Sequence, residues 1–131
     1  MYKSVTTNLM VESVERSIAF YKDILGFSVT VTAPGENNDI IFAILSKDGL
    51  LLMLQEKNSL ASEYPELGTD RIKPSITLYC TVEDLDALHE EIKAKYPIYK
   101  GPYITFYGSK EFAILDPDGY ALTFAKHGEM Q

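Results

Sequence analysis

The amino-acid sequence contains the same pattern twice, about half a chain apart. Residues 42–54 and 112–124 both begin F-A-I-L-x-x-D-G, and they share Phe, Ala, Ile, Leu, Asp, Gly and Leu, which is 7 identities in 13 positions. A second match, at an offset of 71 residues, relates Val11–Glu15 to Val82–Asp86. Repetition at a fixed spacing marks a duplicated structural unit, and two copies are too few for a solenoid. The sequence therefore predicts a duplicated module within one compact domain.

Length, charge and cysteine content limit the class of protein. A chain of 131 residues has the size of one domain. Its 12 basic and 19 acidic residues give a net charge of −7, which argues against binding to nucleic acid, because phosphates require clusters of Lys and Arg. The acidic balance is compatible with a cationic ligand, although solubility alone explains most acidic surfaces. The sequence shows no apolar run of about 18 residues, no secretory signal and no partner for the single Cys80. We therefore expect a cytoplasmic protein that contacts no membrane.

Hydrophobic periodicity divides each repeat into a strand, a helix and three further strands. In the first module, Ser13 is the expected N-cap of the helix and Gly26 the residue that ends it. In the second module, Asp84 is the N-cap and Pro97 stops the helix. The expected strands are Ser4–Val11, Phe27–Ala33, Asp39–Leu45, Leu50–Gln55, Ser75–Val82, Ile98–Thr105, Lys110–Leu115 and Tyr120–Lys126. The predicted fold class is α+β, a single domain made of two βαβββ modules at about 4–55 and 75–126.

The segment 56–74 joins the two modules and is longer than most connections in compact domains. Its apolar residues Tyr64, Pro65 and Leu67 predict that it packs rather than floats. We expect it to join the modules, although a segment of this length can also border a binding site.

Each helix must cover one face of the strands in its module, which leaves a second face for another purpose. Alternation along the strands assigns side chains to this second face, and Glu111, Ala113 and Leu115 belong to it if Phe112 and Ile114 point towards the helix. Its other members are Thr6, Asn8, Met10, Leu51, Met53 and Gln55 in the first module, and Ser75, Thr77, Tyr79, Thr81, Ala121, Thr123 and Ala125 in the second. Such a mixed lining suits a pocket for a small, partly polar molecule. The alternative is a sheet face buried in an oligomer.

Two motifs carry a family resemblance. Val11–Phe27 reads V-E-S-V-E-R-S-I-A-F-Y-K-D-I-L-G-F, which is similar to the V-x-D-x-x-x-S-x-x-F-Y-x-x-x-L-G-F pattern of the vicinal oxygen chelate superfamily. That superfamily includes glyoxalase I, extradiol dioxygenases and bleomycin-resistance proteins, and Asp116–Gly119 (D-P-D-G) resembles its hairpin signature near the C-terminus. The resemblance covers nearly the whole chain apart from 56–74, and it implies a curved, partly open mixed sheet with a cleft. It is specific for the superfamily and does not select one activity.

The resemblance also identifies the positions where enzymes of this superfamily hold a divalent metal with His, Glu or Gln side chains. The matching positions here are Thr6, Met53, Thr77 and Thr123. None is a good ligand for Zn, Fe or Ni, and an alignment shifted by two residues places Asn8 or Gln55 there, which are also poor ligands. His89 lies beside the apolar stripe of the second helix and His127 in the tail, so we expect structural or surface roles for both. The sequence predicts no metal cofactor.

Within the superfamily, the resemblance is to the bleomycin-resistance branch. Tyr107–Phe112, followed by Asp116–Gly119, is similar to the aromatic-G-x-x-E-F…D-P-x-G segment of that branch. Those proteins bind a cationic glycopeptide antibiotic between two subunits without chemistry. The resemblance implies a metal-independent homodimer that sequesters a small molecule, with Glu111 attracting a cation and aromatic side chains stacking on the ligand. These side chains are Tyr79, Phe106 and Tyr107.

Other interpretations of the same residues stay open. Glu111 has a structural alternative, as the partner of a backbone amide or of Lys110. A metal-dependent lyase, isomerase or dioxygenase is the enzymatic alternative, and it requires a convergent acid–base pair. A dimeric scaffold without a ligand is the third possibility, and it requires a closed, dry second face.

Overall fold

The computed structural model describes residues 1–128, and their contacts divide the chain into two compact units, Met1–Ile72 and a second that begins at Lys73. Each unit contains a strand, a helix and three further strands in that order, which confirms the α+β class and the two βαβββ modules. The boundary between the units falls inside the segment predicted to join the modules. Their union into a single domain stays a prediction.

The first unit is a four-stranded mixed sheet with one helix packed on it. Its elements are β1 (Thr7–Val11), α1 (Val14–Asp23), β2 (Ser28–Pro34), β3 (Ile40–Lys47) and β4 (Leu50–Glu56). The strand order is β1-β4-β3-β2, with β1 parallel to β4 and the other pairs antiparallel. Ser13 caps α1 by accepting the N–H of Arg16, and Gly26, at φ 78°, turns the chain after the helix, so both predicted ends are confirmed.

The core of the first unit lies between this sheet and α1. The sheet contributes alternate residues that are at most 6% exposed, namely Leu9, Val11, Ala43, Leu45, Leu52 and Leu54. From α1, Val14, Phe20 and Tyr21 are buried, and the rings of Phe20 and Tyr21 meet edge to face at 4.8 Å. Each fully buried side chain of this size contributes about 1.5–3 kcal/mol through the hydrophobic effect, which holds α1 on the sheet.

The second unit repeats the architecture. A short helix, α2 (Lys57–Glu63), lies in the joining segment. The elements of the second unit are β5 (Thr77–Thr81), α3 (Leu85–Lys93), β6 (Lys100–Ile104), β7 (Ser109–Leu115) and β8 (Ala121–His127). The strand order is β5-β8-β7-β6, and β5 is parallel to β8. Asp84 caps α3 by accepting the N–H of Ala87, as predicted. Phe112 is fully buried between His89 of α3, at 5.1 Å between ring centroids, and Phe124, at 5.2 Å.

In the two units, matching side chains of the repeated F-A-I-L segments lie on opposite faces of the sheet. In β7, Phe112 faces α3, whereas in β3 it is Ala43 that is fully buried and Phe42 that is only half-buried. The cause is the hairpin that follows. Lys47 pairs with Leu50 across a two-residue turn, whereas Leu115 pairs with Ala121 across five residues. The register of β3 against β4 therefore differs by one residue from the register of β7 against β8. A shift of one residue turns every side chain of a strand to the other face.

Several predicted boundaries were wrong. β1 begins at Thr7 rather than Ser4, and Val5, which lies within the predicted strand, is 94% exposed. In the second unit, β5 begins at Thr77 rather than Ser75, and Ile76, which lies within the predicted strand, is exposed. α3 ends at Lys93, where the chain turns before it reaches the predicted stop at Pro97.

The joining segment also differs from its prediction. It forms α2 and a short 3₁₀ helix at Pro65–Leu67, and it packs through Leu60 and Ile72, at 5% and 9% exposed. The predicted apolar contacts Tyr64 and Leu67 are exposed instead. Within residues 1–128, no helix is both long enough and apolar enough to cross a membrane.

Candidate functional site

A buried carboxylate with two phenol partners lies on the second face of the second unit. Glu111 of β7 is 3% exposed, and its Oε2 accepts the O–H of Tyr79 at 2.6 Å and the O–H of Tyr107 at 2.7 Å. Tyr79 reaches it across the sheet because Tyr79 pairs with Thr123 while Glu111 pairs with Ala125, which places both on one face. Tyr107 reaches it from the turn that precedes β7. The structure thus brings three of the predicted site residues into direct contact.

The surroundings of Glu111 hold it in the charged form. Burial raises the pKa of this carboxyl, but the hydrogen bonds from Tyr107 and Tyr79 favour the anion more strongly, so the pKa lies below its usual value. The hydrogen bond between Tyr107 and Glu111 has the opposite effect on the pKa of Tyr107. The hydrogen bond to Glu111, followed by partial desolvation, raises the pKa of Tyr107 well above that of an ordinary phenol. At neutral pH Glu111 is therefore a carboxylate anion that accepts hydrogen bonds from both phenol groups.

Aromatic rings surround the carboxylate and remain open to solvent. Tyr79 is 48% exposed, Tyr107 46% and Phe106 100%, and the rings of Phe106 and Tyr107 are perpendicular with centroids 5.0 Å apart. Tyr103 of β6 pairs directly with Glu111 and adds a third tyrosine to the same face, and Lys100 Nζ lies 5.3 Å from the centre of its ring. Sequence reasoning missed Tyr103, because it assigned no face to the predicted strand Ile98–Thr105.

His127 belongs to this face as well, contrary to the prediction that it lies in the tail. It is the last residue of β8, pairs with Ser109 and is half-buried. Its ring centre is 6.2 Å from that of Tyr79. Glu111 is therefore not the only ionisable side chain on this face. The alternation Thr123, Ala125, His127 was present in the sequence and identifies the position.

The structure gives Glu111 other partners than the backbone amide or Lys110 that were considered as alternatives. Lys110 Nζ binds Asp86 of α3 at 2.8 Å, on the other side of β7 from Glu111. The carboxylate of Glu111 instead takes its two hydrogen bonds from phenols.

In the first unit, the predicted site residues Asn8 and Gln55 form a polar network with the joining helix. Asn8 Nδ2 donates to Gln55 Oε1 at 2.9 Å, and Gln55 Nε2 donates to Ser59 Oγ at 3.0 Å and to Glu63 Oε1 at 2.6 Å. Gln55 is 7% exposed, so these bonds satisfy a buried amide. The network ties α2 to β1 and β4. The contributions of Ser59 and Glu63 were missed because the joining segment carried no predicted helix.

The positions that match the metal ligands of the superfamily do not suit a metal. Thr6 precedes β1, and Met53 pairs with Asn8 in the first unit. Thr77 pairs with Ala121, and Thr123 with Tyr79, in the second. Hydroxyls and a thioether are poor ligands for Zn, Fe or Ni, which prefer imidazole, carboxylate or thiolate. Across residues 1–128, no group of three His, Cys, Asp or Glu side chains comes together in a way that could hold a metal ion.

Comparison with known proteins identifies the family. The model of the Glyoxalase/Bleomycin resistance protein/Dioxygenase superfamily matches residues 3–124. The chain belongs to this superfamily. No curated protein sequence matches it.

Several solved structures share the fold of this chain at low sequence identity. A glyoxalase/bleomycin resistance protein/dioxygenase from Nocardioides is 19% identical with a TM-score of 0.80, and the match covers 100% of this chain and 87% of that one. TioX from Micromonospora sp. ML1 is 15% identical with a TM-score of 0.73, covering 97% and 100%. TnmS3, an antibiotic binding protein from Streptomyces sp. CB03234, is 18% identical with a TM-score of 0.69, covering 98% of each chain. At these identities the likeness concerns the fold, which this superfamily uses for both enzymes and binding proteins.

Proposed function

We propose that this member of the superfamily is a metal-independent small-molecule binding protein of the bleomycin-resistance, antibiotic-sequestering type. Its ligand is a cationic molecule that docks on the second face of the second unit, over Glu111 and the rings of Tyr79, Phe106 and Tyr107. Thr77, two residues before Tyr79 on β5, and Thr123, the partner of Tyr79 on β8, complete the proposed contact surface.

The observation that supports this proposal is the buried anion at Glu111. A carboxylate that is 3% exposed and carries two phenol hydrogen bonds keeps its charge at neutral pH. Water screens such a charge less than it screens a surface carboxylate, so its field reaches a cation placed over the neighbouring rings. The aromatic surface supplies the apolar contact area that a small-molecule site requires.

The same hydrogen bonds make the cluster a poor catalyst of proton transfer. General acid–base catalysis works best when the pKa of the acid or base lies near the operating pH. Here the pKa of the candidate base, Glu111, is lowered and that of the candidate acid, Tyr107, is raised, so both move away from neutrality. Binding without chemistry is the function that this arrangement favours.

The remaining members of the predicted site enter the proposal in a different role. Thr6 and Met53, half-buried side chains of the first unit, stay proposed ligand-binding residues. Asn8 and Gln55 are proposed to act indirectly, by fixing α2 beside β1 and β4.

We also propose that the protein is a cytoplasmic homodimer. Exposed apolar side chains support an association, since Ile104 is 67% exposed, Leu50 67% and Leu51 53%. Light scattering on the purified protein tests this directly, and a monomer at micromolar concentration contradicts it.

A thermal-melt screen against cationic antibiotics tests the proposed function. A ligand present at 100 times its dissociation constant stabilises the folded state by about 2.7 kcal/mol, which is readily seen as a rise in melting temperature. For any hit, Glu111→Gln is expected to raise the dissociation constant about tenfold, since it removes about 1.4 kcal/mol of attraction between partly screened charges. Glu91→Gln is the matched control, because Glu91 is an exposed glutamate of α3 in the same unit. Equal affinities of wild type and Glu111→Gln contradict the proposal.

A further inference from the structure

The ligand's positive charge has an aromatic surface to bind, but little access to the carboxylate itself. Both phenol hydrogen bonds fall on one oxygen of Glu111, and the residue is 3% exposed. The other oxygen accepts neither phenol bond, so an ammonium group that donates N–H bonds to this carboxylate must either enter the buried space beside that oxygen or displace Tyr79 or Tyr107. Displacement leaves a phenol without its partner, so a direct ion pair gains little.

The ring faces are accessible where the carboxylate is not. Tyr79, Tyr107 and Phe106 are 48%, 46% and 100% exposed, and the perpendicular rings of Phe106 and Tyr107 form a corner. A phenol that donates a hydrogen bond to a carboxylate becomes richer in electrons, which strengthens the negative potential over its ring face. Cations bind to such faces by cation–π attraction. The ammonium of Lys100, 5.3 Å from the ring centre of Tyr103, makes this contact within the same sheet.

We propose, on the basis of the function proposed above, that the ligand's cation is a fully alkylated ammonium group, bound on the rings of Phe106, Tyr107 and Tyr79 rather than by an ion pair with Glu111. A primary ammonium carries three strongly hydrated N–H donors, and an aromatic ring face offers them no oxygen or nitrogen acceptor. A trimethylammonium group has no N–H donors, loses less hydration and presents methyl groups to the rings. The buried charge of Glu111 attracts it without direct contact.

Three small probes with a common phenyl group test the proposal: benzyltrimethylammonium, benzylammonium and the neutral isostere neopentylbenzene. Binding is followed by chemical-shift titration of the full-length protein. We expect benzyltrimethylammonium to bind about tenfold more tightly than benzylammonium and more tightly than the neutral isostere. A primary ammonium that binds as well as the quaternary one, or a neutral isostere that does, overturns this inference and leaves the proposed function intact. If neither cation binds to the folded protein and the antibiotic screen also gives no hit, the proposed function fails as well.

Variants separate the aromatic contact from a general effect on the fold. Tyr107→Phe keeps the ring but removes its bond to Glu111, and Phe106→Leu removes a ring that is fully exposed. Each is expected to weaken binding of the quaternary probe by about twofold to fivefold, the range of a cation–π contact at an exposed site. Tyr64→Leu, at a tyrosine of the first unit that is 54% exposed, is the control and is expected to bind like wild type. Unchanged affinity in both Tyr107→Phe and Phe106→Leu contradicts the proposal.

Discussion

At the scale of single residues, the charge of Glu111 makes the stability of the protein depend on pH. The pKa of Glu111 is lower in the folded protein than in the unfolded chain, where a glutamate titrates near pH 4.3. A lowered pKa means that the group stabilises the fold above its unfolded pKa, and that this contribution disappears as the pH falls through the folded pKa. We expect wild type to melt above Glu111→Gln at pH 6, and the difference to shrink towards pH 3. Melting curves followed by circular dichroism at half-unit pH steps measure it, and a difference that stays constant or widens on acidification contradicts the assignment.

The contacts of Glu111 also show how far single-sequence reasoning reaches at this scale. Alternation along the strands placed Tyr79 and Glu111 on one face, and the structure joins them by a 2.6 Å hydrogen bond. The same reasoning could not show that Tyr107 folds back onto Glu111, because a turn has no fixed side-chain period. His127 was missed for a simpler reason, since the predicted strand stopped one residue too early.

At the scale of strands, the two F-A-I-L segments offer an internal test of register. Phe112 is fully buried against α3, whereas its sequence counterpart Phe42 is half-buried on the opposite face of its own sheet. We expect Phe112→Ala to destabilise the protein by about 3–5 kcal/mol, the usual cost of removing a buried phenylalanine. Phe42→Ala is the matched control, and its cost should be less than half as large. Chemical denaturation of both variants measures the difference, and equal losses contradict the one-residue shift.

The register shift explains why the repeat predicts so much of the fold but does not predict which side chains of β3 and β7 face the helix. The repeat located both hairpins and both modules, because strand and turn residues are local features of the sequence. It could not reveal that Asp48-Gly49 makes a two-residue turn while the second hairpin has five residues between paired positions. Loop length sets register, and register decides which face every side chain occupies. Leu60 and Ile72 were missed as core residues because tertiary contacts, rather than a periodic pattern, bury them.

Gly101 in β6 is the second test at this scale, because it lets β6 approach the strand that carries Glu111. Its φ is 91°, and a Cβ at this position would lie 2.7 Å from the carbonyl oxygen of Glu111 and 2.9 Å from Cα of Phe112. These are backbone atoms of a paired strand and cannot move aside. Gly101→Ala is therefore expected to destabilise the protein by about 2 kcal/mol or more, through backbone strain and the clash together.

Gly49→Ala provides the control for Gly101→Ala. Gly49 also has a positive φ, 80°, but no atom lies within 4 Å of a Cβ placed there. Its substitution carries the cost of the backbone conformation alone, on the order of 1 kcal/mol. Equal melting temperatures of the two variants would mean that the close approach of β6 and β7 contributes nothing to stability.

At the scale of the whole molecule, the side chains available for a metal decide between a binding protein and the metal-dependent enzymes of the superfamily. The four matching positions hold Thr6, Met53, Thr77 and Thr123, which are poor ligands for Zn, Fe, Ni or Mn. A bound structural or catalytic metal contributes its binding free energy to folding, so its removal by a chelator lowers the melting temperature. We expect purified, untagged protein to contain no stoichiometric transition metal, and its melting temperature to be the same before and after treatment with a chelator.

The metal content, from elemental mass spectrometry, and the two melting curves are measured on one sample. The first shows whether a metal is present, and the second shows whether it stabilises the fold. Trace metal without a change in melting temperature indicates adventitious binding and agrees with the proposal. A stoichiometric metal whose removal lowers the melting temperature, and whose return restores it, contradicts it. That outcome means that side chains outside the matching positions hold the ion, and it favours a metal-dependent lyase, isomerase or dioxygenase. The lowered pKa of Glu111 would then matter in a different way, because a carboxylate that stays charged is also ready to bind a metal ion.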